Sequence, residues 1–391
     1  MAYKFKFSAD SVLLGKAYPA LAQWSAQAYT EQWRQFRYHW PYTVPCELHE
    51  HCATHGVDFN INTVDKCEGL RNFYTIGLGF FDYTIDYIDL IPTEVFERGL
   101  TLLFYYHEGD NPFKIKHQLD QLCGNHGLKT DCYRFVSGNT AADSITNFAW
   151  FPDHELLYWH RNREVSAEPM HTDPRPWIFT ILNRTHKWWR ATAMADLQRN
   201  GVLRASQWSY NTKITVGDDP ADNPIEIDVL DLRNDVSQFL KLGPYICDEL
   251  TADQHNSHHL HVAEHYTQSY CNVVIETHFD ADQSGGAFLT EKTFKPIKHA
   301  QPFVIVGAAG SLQALRDLGY RTFDHAIDNS YDLETDNTLR WQKILSTLKQ
   351  IQNQDPQVWF ASCANDIQHN QQHFLSSKKD RLNILYDKLL H

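Results

Sequence analysis

The sequence lacks long apolar runs, internal repeats and low-complexity tracts. None of its stretches approaches the ~18 consecutive apolar residues that a membrane-spanning helix needs. Its first residues, Met-Ala-Tyr-Lys-Phe-Lys-Phe, also lack the apolar core of a signal peptide. We therefore expect a protein of the cytoplasm.

Basic residues are fewer than acidic ones: the sequence has 35 Lys and Arg against 48 Asp and Glu, which gives a net charge of −13. This balance argues against a broadly basic surface for nucleic acid, although it is compatible with a local basic cleft. The eight cysteines are scattered over the chain, which favours reduced, mostly buried thiols over a disulfide framework.

What is present predicts a globular α/β protein. The 391 residues are 42% hydrophobic and 13% aromatic, enough for two to three domains with large cores. Apolar runs that favour strands alternate with helical patterns, and such alternation favours parallel sheets with crossover helices. The predicted strands are 100–106, 133–136, 177–182, 271–275 and 302–307, and the predicted helices are 112–123, 188–198 and the whole tail from about residue 339 onward.

Proline-rich residues 166–176 are the best linker candidate. They predict a first domain over 1–168 and a second over 176–350, with a helical tail over 351–391.

The most informative motif follows the strand that ends at Ile275. Glu276 comes next, a polar loop follows, and a helix opens on Thr290-Glu291-Lys292 before the strand of Gln301-Pro302-Phe303-Val304-Ile305-Val306-Gly307. An ordinary exposed helix start explains Thr290 as an N-cap and Glu291 as a first-turn acid. It explains Lys292 less well, because the helix dipole disfavours a cation there. A bound diphosphate would offset the unfavourable interaction of the Lys292 charge with the helix dipole. The carboxylate of Glu276 or Glu291 would then accept hydrogen bonds from the ribose hydroxyls.

A second candidate is the cationic segment 183–190. Arg184, Lys187 and Arg190 lie where a strand passes into a helix, which is where an open α/β sheet binds its ligand. The alternative is a solvated positive turn.

These residues resemble the donor site of GT-B type glycosyltransferases, most closely the fucosyltransferase-like group. Arg190 resembles the arginine early in a helix, Glu276 the strand-end glutamate, and Thr290-Glu291-Lys292 the helix start that together bind the nucleoside diphosphate in that group. The resemblance covers roughly residues 177–325, and it departs from the group where Thr277-His278 replaces Asn-Ser. It implies two Rossmann-like α/β domains facing a cleft, with C-terminal helices packing back on the first domain. It also implies a nucleotide-sugar donor, a hydroxyl acceptor, and neither a metal nor another cofactor.

The first half offers a candidate general base. His107, Glu108 and Asp110 directly follow the 100–106 strand, and an inverting transfer needs a group that deprotonates the acceptor hydroxyl. Glu108 is the leading candidate. The alternative is a turn that caps the next helix, which explains Asp110 and Asn111 well.

Metal and phosphate motifs elsewhere are weak. The cysteines and histidines of 46–55 approach zinc-ligand spacing but crowd into ten residues, and the histidines of 255–265 form a similar group. Gly307-Ala308-Ala309-Gly310 lacks the rest of a P-loop. We predict no metal site.

Three functions stay open at this stage. The first is a glycosyltransferase with a saccharide or glycoconjugate acceptor. The second is a transferase acting on hydroxymethylated bases of phage-type DNA, in a bacterium or a virus-infected cell, which the net acidity disfavours. The third is a non-catalytic nucleotide- or glycan-binding protein.

Overall fold

A computed structural model describes residues 5–9, 59–61, 72–78, 81–155, 170, 173–183, 185–210, 223–225, 229–243, 245 and 263–390. The chain divides into two compact units. The first comprises Met1–Arg163 and Ser377–His391, and the second comprises Glu164–Ser376. Arg184, the cluster of 46–55 and the histidines of 255–261 lie outside the described residues.

The described elements follow the predicted alternation. The strands are β1 (Phe5–Ala9), β2 (Phe59–Ile61), β3 (Asn72–Leu78), β4 (Thr101–Tyr106), β5 (Tyr133–Ser137), β6 (Phe148–Trp150), β7 (Trp177–Asn183), β8 (Ser206–Tyr210), β9 (Ser269–Ile275) and β10 (Phe303–Val306). The helices are α1 (Thr93–Glu97), α2 (Pro112–Asn125), α3 (Trp188–Arg199), α4 (Val229–Leu242), α5 (Glu264–Thr267), α6 (Ala281–Ser284), α7 (Glu291–Lys298), α8 (Ser311–Asp317), α9 (Asn337–Gln352), α10 (Pro356–Ser362), α11 (Ala364–Ser376) and α12 (Lys378–Leu390). None of these helices is long and apolar enough to cross a bilayer.

The first unit contains a parallel sheet in the order β2-β1-β3-β4-β5-β6. All six residues of β4 are buried, as expected for a central parallel strand covered on both faces. Helix α2 buries Ile115, Leu119 and Leu122 in the core of this unit. Its start is fixed by Asn111, whose Oδ1 accepts from the next two backbone N–H groups at 3.0 and 3.3 Å, and by Pro112 in the first turn.

Helix α12 also belongs to the first unit. The Arg381 Nε donates to Glu155 Oε2 at 2.8 Å, and both side chains are buried. The Lys388 Nζ lies 2.7 Å from Asp143. The predicted packing of C-terminal helices on the first domain is confirmed for α12, whereas α9, α10 and α11 belong to the second unit.

The second unit contains a parallel sheet in the order β10-β9-β7-β8. Residues of β9 are buried along the whole strand. Because the strands are parallel, the segments that follow β7, β9 and β10 leave the sheet at the same edge. The α/β class and the parallel sheets predicted from the sequence are confirmed, and this edge carries the predicted donor-side residues.

Candidate functional site at the carboxyl edge of the second sheet

Glu276 holds the start of helix α7. One carboxylate oxygen accepts from Thr290 N at 3.0 Å and from Thr293 Oγ1 at 2.6 Å, and the other accepts from Thr290 Oγ1 at 2.5 Å. Only 1% of Glu276 is exposed. Its oxygens are therefore engaged by the helix start, and Glu276 acts on this site by positioning α7.

Local sequence explains why α7 begins where it does. Thr290 has extended backbone angles and caps the helix, accepting from Lys292 N at 3.4 Å. The Glu276 carboxylate also faces the positive end of the helix dipole, which favours an anion there. Helix α7 begins at Glu291, as the motif predicts.

Lys292 is the accessible cation of the motif, with 28% of its side chain exposed. Its Nζ donates to Thr290 Oγ1 at 3.0 Å and to Thr277 Oγ1 at 3.4 Å. Carboxylate oxygens of Glu276 and Glu291 lie 3.9 and 3.7 Å from it. These two carboxylates offset the unfavourable dipole, so a first-turn lysine does not by itself require a bound anion.

The cationic segment at the start of helix α3 also contacts residues 276 and 277. The Lys187 Nζ donates to Thr277 O at 3.0 Å. Arg190 is 3% exposed, and its guanidinium donates to Glu276 O at 2.7 Å and to Thr185 O at 3.1 Å. The structure therefore brings Lys187, Arg190 and Lys292 together around residues 276 and 277.

The turn after β10 packs directly against Glu276. A Cβ at Gly307 would lie 3.1 Å from Ser311 Oγ, 3.3 Å from Ile305 Cγ2 and 3.4 Å from Glu276 Cβ. The first two contacts are tighter than ordinary van der Waals distances, so a side chain here would require its neighbours to shift by a few tenths of an ångström. The weak glycine motif of the sequence therefore has a packing role beside the candidate site.

Arg340 was missed by the sequence analysis. It is 1% exposed, and its guanidinium donates to the carbonyl oxygens of Gly307 at 3.2 Å, Glu334 at 2.9 Å and Phe279. It also lies over the Phe279 ring at 4.3 Å. Burial lowers the pKa of Arg340 to about 10, which still leaves it charged at neutral pH. Arg340 thus joins loops that follow β9 and β10, and an isolated arginine in a helical pattern gives no sign of this role.

Polar atoms at the same edge have no partner within the described part of the chain. They are Asn183 Oδ1 at the end of β7, Trp188 Nε1 at the start of α3 and Ser209 Oγ in β8. Burying such atoms unpaired costs free energy, so they favour a polar ligand or water nearby.

The predicted base candidates lie in the first unit, after β4. His107 is 1% exposed, and its Nε2 lies 3.3 Å from Glu108 Oε1. Burial lowers the pKa of His107 to about 4, so the imidazole is neutral at neutral pH. Asp110 accepts from Tyr106 Oη at 2.5 Å. The Glu108 side chain is 32% exposed, so this carboxylate beside His107 is accessible to a ligand.

The loop after β5 supports this segment. Gly138 N donates to Glu108 O at 3.2 Å, and Asn139 Nδ2 donates to Gly109 O at 2.9 Å. The ring of buried His154, which follows β6, lies 6.3 Å from the His107 ring. Three neighbouring strand ends therefore contribute polar side chains here, and His154 was not singled out from the sequence.

Metal-ligand geometry is not found among the residues that the structure describes: no group of three or more His, Cys, Asp or Glu side chains is arranged to hold an ion.

Comparisons with known proteins give distant structural similarity. No family profile and no curated protein sequence matches the chain. Among solved structures, an alpha1,3-fucosyltransferase is similar with a TM-score of 0.45 and 8% identity, over 99% of this chain and 91% of that protein. A UDP-forming alpha,alpha-trehalose-phosphate synthase from Burkholderia xenovorans is similar with a TM-score of 0.34 and 9% identity, over 100% and 99% of the two chains. At this distance neither similarity assigns a role to a residue.

Proposed function

We propose that the protein is a glycosyltransferase that moves a sugar from a nucleoside-diphosphate sugar to a hydroxyl group. The observation that carries the proposal is the convergence of Lys187, Arg190 and Lys292 around residues 276 and 277, at the carboxyl edge of a parallel sheet. Helices α3 and α7 both begin beside these residues, and the N-terminus of a helix favours a bound anion. An open α/β sheet binds its ligands at such an edge.

Lys292 is the first ligand of the diphosphate in this proposal. Its side chain is partly exposed and already hydrogen-bonded to hydroxyl groups, so a phosphate oxygen can replace or join them. Lys187 assists from helix α3. Arg190 is turned toward the carbonyl oxygens of Glu276 and Thr185, and its main contribution is to fix the loop that presents the lysines. Arg184, which lies outside the described residues, stays a predicted further cation of the site.

A ribose hydroxyl is assigned to Glu291 rather than to Glu276, because the Glu276 oxygens are taken by Thr290 and Thr293. The unpartnered Asn183 and Trp188 atoms suit other polar groups of the nucleoside.

The chemistry needs charge stabilisation and a base. As the bond from the anomeric carbon to the diphosphate oxygen breaks, negative charge grows on the leaving group, and the lysines stabilise it. Glu108 is the proposed base that takes the proton of the acceptor hydroxyl as the new glycosidic bond forms. His107 is neutral and buried, so it supports Glu108 rather than accepting that proton itself.

A saccharide or glycoconjugate is the favoured acceptor. The Glu108 segment carries a second carboxylate, Asp110, and burial together with the Asp110 charge raises the pKa of Tyr83, whose ring is exposed in the same unit. Carboxylates repel the phosphates of a nucleic acid, whereas an aromatic ring suits the apolar face of a sugar. The DNA-modifying alternative is tested with the same enzyme by offering duplexes that contain hydroxymethylated bases.

The first experiment measures thermal stabilisation by nucleoside diphosphates and their sugars. A ligand at 100 times its dissociation constant adds ~2.7 kcal/mol, which raises the melting temperature by about 5–10 °C in a unit of this size. Lys292→Met should weaken binding of the stabilising ligand by about 10- to 100-fold, the range for a hydrogen bond to a charged group. Lys298→Met, at the other end of α7, makes the same charge change and should bind like wild type.

Turnover distinguishes the remaining alternatives. Donor hydrolysis or transfer by wild type, lost in Glu108→Gln with ligand binding retained, supports a transferase with Glu108 as base. Binding without any turnover over a panel of donors and acceptors would favour the non-catalytic alternative. Absence of stabilisation by every nucleotide would refute the donor site itself.

A further inference from the structure

Two cysteines of the first unit form a close thiol pair. Cys123 Sγ and Cys132 Sγ lie 3.7 Å apart, within hydrogen-bonding distance for sulfur. Cys123 lies in the last turn of helix α2, and Cys132 directly precedes strand β5. A disulfide bond is ~2.0 Å long, so the two sulfurs need to approach by only about 1.7 Å to form one.

The backbone around the pair keeps the two thiols facing each other. Leu128 N donates to Cys123 O at 2.9 Å, and Cys132 N donates to Lys129 O at 3.2 Å. Leu102 N donates to Cys132 O at 2.9 Å, which ties this residue to the start of strand β4. The thiols are therefore held together by a short, hydrogen-bonded connection rather than by chance contact of mobile side chains.

The two thiols differ in access and in acidity. Cys123 is fully buried, whereas Cys132 is partly exposed. The contact between the two sulfurs lowers the pKa of Cys132, and the same contact together with burial raises the pKa of Cys123. A thiolate is the reactive form of cysteine, so Cys132 is the attacking member and Cys123 the resolving one.

We propose that Cys123 and Cys132 form a reversible dithiol–disulfide site whose co-substrate is a low-molecular-weight disulfide such as oxidised glutathione. The Cys132 thiolate attacks one glutathione sulfur, the glutathione disulfide bond breaks, and the first glutathione thiolate leaves. The Cys123 thiol then gives up its proton to a glutathione thiolate and attacks the Cys132 sulfur. The second glutathione leaves as a thiolate and takes up, through the solvent, the proton that Cys132 lost when it ionised, so two protein thiols are oxidised while one glutathione disulfide is reduced to two thiols.

This site is separate from the proposed catalysis. The pair lies at the edge where β4 and β5 begin, whereas His107 and Glu108 follow the other end of β4. The proposal therefore does not depend on the proposed transferase function. It adds a reversible disulfide to the reduced, mostly buried thiols that the sequence predicts.

The test is peptide mapping after native oxidation. The folded full-length protein is incubated with oxidised glutathione and then denatured in the presence of an alkylating reagent, so that every remaining thiol is blocked before digestion with trypsin. Cleavage after Lys116, Lys129 and Arg134 places Cys123 on peptide 117–129 and Cys132 on peptide 130–134. We expect these two peptides to be recovered joined and to separate after treatment with dithiothreitol.

Variants identify the order of attack. Cys132→Ser should leave Cys123 fully alkylated, because the accessible thiol is gone. Cys123→Ser should stop at a mixed disulfide between Cys132 and glutathione. Cys363→Ser removes a buried thiol of the second unit and should oxidise like wild type. The proposal is overturned when wild type yields two alkylated, unlinked peptides, or when glutathione stays on Cys132 although Cys123 is present.

Discussion

Neutralising Glu276 should lower the stability of the start of helix α7 without changing the size of the side chain at position 276. Glu276→Gln keeps the size of the side chain but replaces a buried carboxylate that accepts three hydrogen bonds at 2.5–3.0 Å. The amide has one accepting oxygen, so at least one threonine hydroxyl must turn round to accept instead of donate.

The magnitude follows from the three hydrogen bonds. A hydrogen bond to a charged group contributes ~1.5–3 kcal/mol and a neutral one ~0.5–1.5 kcal/mol, so the change costs about 1 kcal/mol per bond and ~3 kcal/mol in all. The ion pair with Lys292 adds little, because that side chain is partly exposed and the atoms are 3.9 Å apart. The melting transition of the second unit should fall by about 6–12 °C.

A double-mutant cycle with Thr293→Val assigns the loss to this network. Thr293→Val alone removes one hydroxyl at 2.6 Å from Glu276 and should cost ~1–2 kcal/mol. In the Glu276→Gln background the same change should cost about 1 kcal/mol less, since the partner is no longer charged.

Calorimetry of the full chain measures each step, and Asp282→Asn in the short helix α6, between β9 and α7, is the exposed control. A Glu276→Gln protein that melts within about 1 °C of wild type, or strictly additive losses, would refute the reasoning.

Three further predictions concern other residues of the two sites. Arg190→Met should lower the stability of the second unit by ~3 kcal/mol, because it removes two charged hydrogen bonds to the backbone carbonyls of Thr185 and Glu276. Nucleotide binding should weaken in the same variant. An unchanged melting temperature would show that Arg190 does not hold these two segments. Gly307→Ala should cost ~1–3 kcal/mol through the close contacts of its Cβ, and a neutral effect in denaturant unfolding would contradict that packing. For His107, whose pKa of about 4 is below the ~6.5 of an exposed imidazole, the unfolded chain binds a proton between those values and the folded chain does not. Stability should therefore fall by ~1.4 kcal/mol per unit as pH drops from 6.5 to 4, and His107→Gln should remove this slope from urea unfolding measured over that range.

Elements were more predictable from the sequence than contacts. Helix α2 carries its own signals, namely Asn111, Pro112 and apolar residues at helical spacing, and the structure agrees. Helix α3 likewise ends before Asn200 and Gly201, and Gly201 has a positive φ of 76°. Such local patterns act over a few residues, and hydrophobic periodicity reports them directly.

The direction in which a charged side chain points was less predictable. The sequence placed Glu276 beside Thr290, yet it could not show that the threonine hydroxyls saturate the carboxylate. The same holds for Arg190, which is buried against carbonyl oxygens. These contacts join residues 86 and 14 positions apart, and a pattern in one segment carries no information about the partner in another. Arg340 is the extreme case, since its carbonyl partners belong to separate loops.

The buried pair of Glu155 and Arg381 links the order of synthesis to the order of folding. The two residues are 226 positions apart, and all of the second unit is made between them. Until residues 377–381 are made, the Glu155 carboxylate lacks the Ser377 hydroxyl and the Arg381 guanidinium that it binds in the complete fold, and removing one partner of a buried ion pair costs ~3–5 kcal/mol. We therefore expect the unit that is translated first to reach its final fold last. A chain that stops at residue 376 should be cut by protease within 81–155 under conditions that leave the full chain intact.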